Sequence, residues 1–170
     1  MWFAGVTNLM AQPIQPEKAY FKDDGSIPNS ALPLLVYREA FAPGTPDLAA
    51  TIEERLVKND WTGSWRANVF SFHHFHSTTH EVLAVYRGTA TLQFGGEKGR
   101  QFALKLGDVV VIPAGVGHKR TESSLDGHGG WTDPLIIRLS RSFRAWPCGW
   151  RIPGVPLCFT PGYLEAQLRC

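Results

Sequence analysis

The sequence lacks the features that would direct a protein to a membrane or a nucleic acid. It holds no stretch of residues long and apolar enough to span a bilayer. Its 17 Lys and Arg residues nearly balance its 15 Asp and Glu residues, for a formal net charge of +2, and they form no basic run. Because nucleic acids and anionic membrane surfaces are bound by a concentrated basic face, we expect neither as a partner.

Cysteine is also scarce, and its placement excludes two kinds of stabilising site. The three cysteines lie far apart near the C-terminal end and form no C-x-x-C pair: Cys148, Cys158 and Cys170. Such spacing predicts neither a disulfide framework nor a zinc knuckle. Residues 1–12 have no basic start and only a short hydrophobic stretch, so we expect no secretory signal there. Free thiols then favour a cytoplasmic protein.

The composition is that of one soluble globular domain. Of the 170 residues, 44% are hydrophobic and 19% are charged, which is enough for a single packed core. We expect three regions: an N-terminal strand and helix within residues 1–60, a β-rich core within 61–140, and an irregular tail within 141–170. The tail is rich in Pro and Trp, and its apolar residues follow no clear period.

One segment has the periodicity of an amphipathic helix. Its apolar residues recur every four positions and share one face: Leu48, Ile52 and Leu56. Thr45 is a suitable N-cap, which places Pro46 at the first helical position. Asn59 is the expected end. The pattern predicts a helix that packs one face on the core of the domain.

Most of the remaining sequence predicts short strands. One strand is expected over residues 32–41, before the helix, and one over 135–139. Between them, β-rich runs alternate with turns, most of which contain glycine: Val69 to His76, Glu81 to Tyr86, Thr89 to Phe94, Gln101 to Leu106 and Val109 to Ile112. Many short strands with glycine turns are typical of an antiparallel sandwich, barrel or jelly roll, so the predicted fold class is all-β.

Histidines within and beside these strands form the first candidate site. Side chains alternate across a strand, so His74 and His76 point to the same side and His73 points to the other. The chain then turns, and the next strand starts at Glu81. If Glu81 faces the interior, His80 faces away from it. The alternation therefore selects two imidazoles and one carboxylate.

A second motif adds a third imidazole. After the strand Val109 to Ile112, the sequence Pro113-Ala114-Gly115 predicts a tight turn that directs His118 back toward the first motif. Three neutral imidazoles and a carboxylate suit Fe(II), Mn, Ni, Co or Zn better than Ca or Mg. Four ligands leave open positions on an octahedral ion, where a substrate or O₂ can bind.

Together, the two motifs resemble both halves of the cupin signature. The sequence resembles the small YjlB-like single-domain cupins of bacteria and fungi. This resemblance runs from about residue 21 to about residue 119. It includes these segments: Trp61-Thr62-Gly63-Ser64-Trp65-Arg66, Phe72-His73-His74-Phe75-His76-Ser77, Thr79-His80-Glu81-Val82-Leu83 and Gly107 to Lys119. The resemblance implies a single jelly-roll barrel with one metal ion in its mouth, and these ligands: His74, His76, Glu81 and His118. Two positions depart from the broader signature, Asn68 in place of glycine and Glu122 in place of asparagine, and the tail from about residue 125 does not follow the subgroup.

Several further residues have a functional and a plain structural interpretation. Three aromatic residues either line an apolar pocket for an aromatic substrate or belong to the core: Trp65, Phe70 and Phe72. Arg66 and Arg87 either orient an acidic or phenolic substrate or are surface charges. For His80 we expect a supporting or surface role rather than metal ligation.

The resemblance also implies a function. Fungal members of the subgroup are cupin-domain oxidoreductases of secondary-metabolite pathways, often making aromatic polyketides. We therefore expect a metal-dependent, dioxygenase-like oxidoreductase that acts on a small organic molecule, with Fe(II) as the favoured ion. Two alternatives stay open: a non-redox isomerase or cyclase in which the metal is a Lewis acid, and a binding protein without turnover. The sequence leaves open whether the chain forms a homodimer.

Overall fold

The structure, a computed structural model, describes residues 14–124, 135–140, 151–152 and 155–156. The expectations for residues 1–12, for the three cysteines and for most of the tail lie outside these ranges. Within them, no helix has the length and hydrophobicity needed to cross a membrane. In chain order the elements are β1 (Glu17–Ala19), β2 (Leu34–Tyr37), α1 (Leu48–Lys58), β3 (Thr62–Ala67), β4 (His80–Val85), β5 (Thr89–Phe94), β6 (Arg100–Lys105), β7 (Val109–Ile112), β8 (His118–Ser124), β9 (Leu135–Ser140), β10 (Arg151–Ile152) and β11 (Val155–Pro156).

Two antiparallel sheets form the domain. The larger has six strands in the order β1-β2-β7-β4-β9-β3, and the smaller has three in the order β6-β5-β8. A separate short pair joins β10 and β11. Buried residues of both sheets meet in an inner core that includes Leu83, Val110, Leu92, Phe94 and Phe102. With one helix in the described part of the chain, the architecture fits a single cupin jelly-roll domain, and the predicted fold class is confirmed.

Strand β4 lies in the middle of the larger sheet, and both of its faces are buried. Leu83 and Val85 belong to the inner core. Val82 and Ala84 point the other way and belong to an outer core, which lies between this sheet and α1. Because side chains alternate along a strand, Glu81 shares the inward face with Leu83.

Helix α1 covers the outer face of the larger sheet, as its periodicity predicts. The predicted apolar face is buried: Leu48, Ile52 and Leu56. The predicted N-cap is wrong, because Asp47 caps the helix by accepting a 3.1 Å hydrogen bond from the Ala50 N–H group. The Thr45 hydroxyl instead donates to the Ala42 carbonyl in the preceding turn, at 2.8 Å. The predicted end is confirmed, since Asn59 is the C-cap.

Two strand predictions need correction. Residues 69–76 do not form a regular strand; they follow an irregular path beside β8 and form one isolated bridge, between His74 and His118. The strand over 32–41 is limited to β2. The runs that became β4, β5, β6 and β7 start and end within one residue of their predicted bounds.

Strand β3 was not predicted, because its sequence does not alternate between apolar and polar residues. It lies at the edge of the larger sheet and pairs only with β9 among the described strands. Its residues Gly63 to Arg66 are exposed. A register shift between Thr62 and Ser64 accompanies the left-handed backbone of Gly63, with φ of 62°. An exposed edge strand needs no apolar face, so hydrophobic periodicity cannot detect it.

Helix α1 allows a direct test of the outer core. Ile52 is 0% exposed, whereas Val57 on the same helix is 57% exposed. We expect Ile52→Ala to lower the free energy of unfolding by about 2–5 kcal/mol, because it leaves a cavity under the helix. Val57→Ala should change it by less than about 0.5 kcal/mol, since no buried contact is lost. Urea denaturation measures both, and equal effects of the two substitutions would contradict this packing.

Candidate metal centre

Four side chains converge between the two sheets. One ligand atom from each of His74, His76 and His118 lies within 4.8 Å of the other two. The Oε2 atom of Glu81 lies 2.9 Å from Nε2 of His118 and 3.3 Å from Nε2 of His76. The structure therefore groups the three histidines that the motifs single out and places Glu81 against two of them, His76 and His118.

Backbone pairing sets the positions of two of these histidines. The His74 N–H group donates to the His118 carbonyl at 3.1 Å, and the His118 N–H group donates to the His74 carbonyl at 2.9 Å. The centroids of their rings are 4.1 Å apart. The Gly115 N–H group donates to the His76 carbonyl at 2.8 Å. Residues 74–76 are thus tied to β8 and to the turn that precedes it.

Glu81 reaches the same point from the other sheet. It lies on β4, opposite Ile112 at the end of β7. Its side chain is almost fully buried, as is that of His118, whereas about a third of the His76 side chain is exposed. One side of the cluster is therefore closed by protein, and the other is open near His76.

The ring orientation of two histidines leaves one nitrogen available to a ligand. Nδ1 of His74 lies 3.4 Å from the Phe72 carbonyl, and Nδ1 of His118 lies 3.2 Å from the Val116 carbonyl. A proton on each Nδ1 satisfies these contacts and leaves the Nε2 lone pair unused. Metal-ligating histidines commonly donate their second N–H group to a carbonyl in this way.

Two buried atoms of the cluster have no hydrogen-bond partner in the part of the chain that the structure describes. Among the described residues, neither Oε2 of Glu81 nor Nε2 of His118 has a partner with acceptable hydrogen-bond geometry. Their 2.9 Å separation is therefore a close approach that is not aligned for a hydrogen bond. Leaving such atoms buried and unpaired is costly. A divalent cation bound to both would satisfy them, so the residues fit a metal ion.

The electrostatics keep Glu81 and His74 in the forms that bind metal. Burial raises the pKa of Glu81, but the nearby His118 and His76 outweigh this effect and hold the pKa at about 2. The Glu81 carboxylate raises the pKa of His76. Burial and the neighbouring His118 lower the pKa of His74. At neutral pH, Glu81 is an anion and His74 is neutral, which are the forms that bind metal.

The three predicted aromatic residues are exposed, and two of them, Phe70 and Phe72, lie beside the cluster. Phe70 and Phe72 are 58% and 60% exposed, and their rings stack at 4.9 Å. The ring of Phe70 meets that of His74 edge-on at 5.0 Å. Trp65 is 44% exposed and lies on the edge strand β3. None of the three is plain core, and the two phenylalanines form an open aromatic surface next to a candidate ligand.

The two arginines lie around another aromatic ring. The guanidinium carbons of Arg66 and Arg87 lie 5.5 Å and 5.9 Å from the centroid of the Tyr86 ring. Arg66 also donates two hydrogen bonds to Glu53 of α1, at 2.9 Å and 3.0 Å. Arg87 follows β4 at the end opposite Glu81, at most about 20 Å along the strand direction. A role of either arginine in orienting a substrate stays a prediction without support from its position.

His80 supports the loop before His118 rather than joining the cluster. It is buried on β4, and its Nδ1 accepts a 3.0 Å hydrogen bond from the Ala114 N–H group. Burial lowers the pKa of His80, which favours the neutral ring that this bond requires.

Sequence analysis missed Asn29, which lies in the loop before β2. Its Oδ1 accepts a 3.3 Å hydrogen bond from the Gly117 N–H group, and its Nδ2 donates to the Lys22 carbonyl at 2.8 Å. Asn29 is buried and has a left-handed backbone, with φ of 54°. Nothing in the sequence links position 29 to position 117, so only the fold reveals this contact.

A pocket of about 640 Å³ opens beside the cluster. Its lining includes His74, together with His73, Phe75 and residues of two loops: Asp24, Ser26, Ile27, Glu97 and Lys98. Both ring nitrogens of His73 are buried and have no hydrogen-bond partner among the described residues. The pocket gives a small molecule a place next to one candidate ligand.

The strand arrangement is that of a cupin jelly roll, and its cluster of three histidines, with Glu81 against two of them, fits a divalent metal ion. Over 109 residues the chain is 50% identical to the Uncharacterized protein YjlB of Bacillus subtilis strain 168. That match covers 63% of this chain and 62% of YjlB, so the chain spans less than two thirds of the relative's length. No protein-family model matches the chain.

Several solved structures of lower sequence identity match part of this chain. A DUF861 family protein from Thermotoga maritima is 19% identical, with 57% of this chain and 93% of that chain covered and a TM-score of 0.33. Acireductone dioxygenase from Bacillus anthracis, with a cadmium ion in its active center, is 15% identical. That match covers 65% of this chain and 79% of the dioxygenase chain, with a TM-score of 0.39. Likeness at this level leaves the reaction open, and the fold is assigned from the strand pairing described above.

The Glu81–His76 pair should make stability depend on pH. The pKa of Glu81 is lower in the fold than its ordinary 4.5, so the ionised carboxylate stabilises the fold above 4.5 and loses this effect as the pH falls toward about 2. The pKa of His76 is raised, so its contribution is complete below its ordinary 6.5 and is lost as the pH rises through the raised value. The pair is most stabilising between these two ordinary values.

We therefore expect Glu81→Gln, measured without metal, to lower the free energy of unfolding most strongly between about pH 4.5 and 6.5. The difference from wild type should shrink on both sides of that window. Urea denaturation at about pH 3, 5.5 and 8 measures it. Glu97→Gln is the control, because Glu97 is exposed and pairs with Lys119 at 2.8 Å. A difference between Glu81→Gln and wild type that stays constant with pH would contradict the coupling.

Proposed function

We propose that the protein is a metal-dependent cupin oxidoreductase that acts on a small organic molecule. The observation that carries the proposal is the cluster of three histidines, with Glu81 against two of them, around buried atoms that have no hydrogen-bond partner in the described part of the chain. The proposed ligands are His74, His76, Glu81 and His118. Three neutral nitrogens and one carboxylate suit Fe(II), which we favour, as well as Mn, Ni, Co or Zn.

The carboxylate and the histidines have different roles in this proposal. Glu81 supplies the negative charge, and its burial with His118 fixes two donors on the closed side of the centre. The carbonyls of Phe72 and Val116 orient His74 and His118 so that Nε2 of each is presented. When bound, the metal ion supplies Lewis acidity toward a substrate oxygen and, if redox-active, electron transfer with O₂.

The substrate proposal depends on the exposed aromatic surface. The stacked rings of Phe70 and Phe72 lie next to His74, and an aromatic ligand can add to such a stack in an offset or edge-on arrangement. We therefore propose an aromatic, phenolic or polyketide-type substrate. This choice agrees with the resemblance to fungal cupins of secondary-metabolite pathways, and a role in such a pathway is part of the proposal.

Metal binding is the first test. We expect wild-type protein to retain about one equivalent of a divalent transition metal after dialysis, and His76→Ala to reduce its affinity by more than about 100-fold because a ligand is lost. His73→Ala is the matched control, since this neighbouring imidazole is not part of the group of ligand atoms. Elemental analysis and titration of metal-free protein measure both. Wild-type occupancy in His76→Ala would contradict the proposed ligand set.

Metal exchange tests the reaction type. We expect protein loaded with Fe(II) to consume O₂ with one or more members of a panel of phenols and aldehydes, and protein loaded with redox-inert Zn(II) not to do so. An oxygen electrode and product analysis provide the measurement. Turnover that persists with Zn(II) would instead favour a Lewis-acid isomerase or cyclase. Saturable ligand binding without any product would favour a binding protein.

A further inference from the structure

The turn that carries His118 is anchored by groups outside it at four of the five residues from Ala114 to His118. Residues 113–117 connect β7 to β8, and four backbone N–H groups from Ala114 to His118 donate to other segments. The acceptors are Nδ1 of His80 at 3.0 Å, the carbonyl of His76 at 2.8 Å, Oδ1 of Asn29 at 3.3 Å and the carbonyl of His74 at 2.9 Å. Two of these acceptors belong to candidate ligands, and the other two are side chains.

His80 reaches the turn because of the strand register. Glu81 pairs with Ile112, so His80 lies opposite the start of the turn. Its ring is buried and accepts from Ala114 on the face of β4 that points away from the cluster. One strand thus provides Glu81 to the cluster and, one residue earlier, an acceptor that holds the loop of His118.

Asn29 holds the other half of the turn. Its side chain accepts the bond from the Gly117 N–H group. The turn also lies close to the main chain of Asn29, because a Cβ at Gly115 would collide with the Asn29 carbonyl oxygen. Gly115 also has a left-handed backbone, with φ of 91°. The Nδ2 group of Asn29 donates to the Lys22 carbonyl, which fixes the amide from the other side.

We infer that His80 and Asn29 are positioning residues, which set the metal affinity of the centre by fixing where His118 is placed. This inference rests on the proposed metal site. A buried turn can shift only if it breaks these hydrogen bonds, and a ligand that is misplaced by a fraction of an ångström binds metal less well. Substitution of supporting residues of this kind typically lowers metal affinity about 10–100-fold.

The test for His80 compares two substitutions of similar bulk. His80→Leu removes the acceptor, and His80→Asn keeps an oxygen near the position of Nδ1. With Co(II) as the probe, we expect His80→Leu to weaken binding about 10–100-fold and to change the visible absorption spectrum of the bound ion. His80→Asn should restore both toward wild type. Circular dichroism confirms that each variant is folded at the temperature used.

The test for Asn29 uses glycine, which keeps the left-handed backbone and removes the side chain. Asn29→Gly should weaken Co(II) binding over the same range of about 10–100-fold. Asp60→Gly is the matched control, because Asp60 also has a left-handed backbone, with φ of 58°, but follows helix α1. It should leave Co(II) affinity unchanged.

The outcomes separate this inference from the proposed function. If the wild-type protein binds none of the three ions Co(II), Zn(II) and Fe(II), both the metal site and this inference are wrong. Wild-type binding with equal affinity in His80→Leu and Asn29→Gly would overturn only the positioning roles. Hydrogen exchange of the Ala114 and Gly117 amides in metal-free protein gives an independent readout: we expect faster exchange in the respective variants, and unchanged exchange would contradict the anchoring.

Discussion

The centre depends on one pair of backbone hydrogen bonds, exchanged between His74 and His118. Within the described part of the chain, residues 69–76 have no regular strand pairing, and this bridge, together with the bond from the Arg120 N–H group to the Phe70 carbonyl, fixes their register against β8. It places two imidazoles side by side and, through the next two residues, brings His76 over the turn that leads to His118. The carboxylate of Glu81 then reaches His118 and His76 from the opposite sheet. The bridge therefore sets how His74 and His118 lie relative to each other, while β4 sets the position of Glu81.

The same arrangement explains why the site suits a cation better than an empty cavity. A buried carboxylate lies against imidazoles whose nitrogens are close to it but not aligned with it. Hydrogen bonding within the protein leaves these atoms partly unsatisfied, and water has little access to the closed side. A positive ion at the meeting point is the simplest group that resolves both problems at once.

Much of this could be predicted from the sequence, because the relevant signals are local. The glycine-separated apolar runs gave β5 and β7 with correct bounds, and the period of four gave the buried face of α1. Alternation in a strand correctly brought His74 and His76 together, although the strand itself does not exist in regular form. The bridge to His118 keeps the residues around it extended. His74 and His76 therefore lie together even though the predicted strand from Val69 to His76 is not regular.

The rest could not be predicted, for two physical reasons. Strand β3 is exposed at an edge, so no apolar pattern marks it, and Asp47 replaces Thr45 as the cap because the preceding turn uses the threonine hydroxyl. Contacts between distant positions also leave no trace in a single sequence. Asn29 is a loop asparagine until the fold places it against Gly117, and His80 is an ambiguous histidine until the register places it opposite the turn.

Strand β4 restricts how such a sequence can change over time. One of its faces carries Glu81, and the other forms the floor on which α1 packs. A substitution that repacks the helix by moving this strand would also move the carboxylate and the acceptor that holds the loop of His118. The two faces therefore cannot change independently, and the packing of the outer core constrains the position of Glu81 on the inner side.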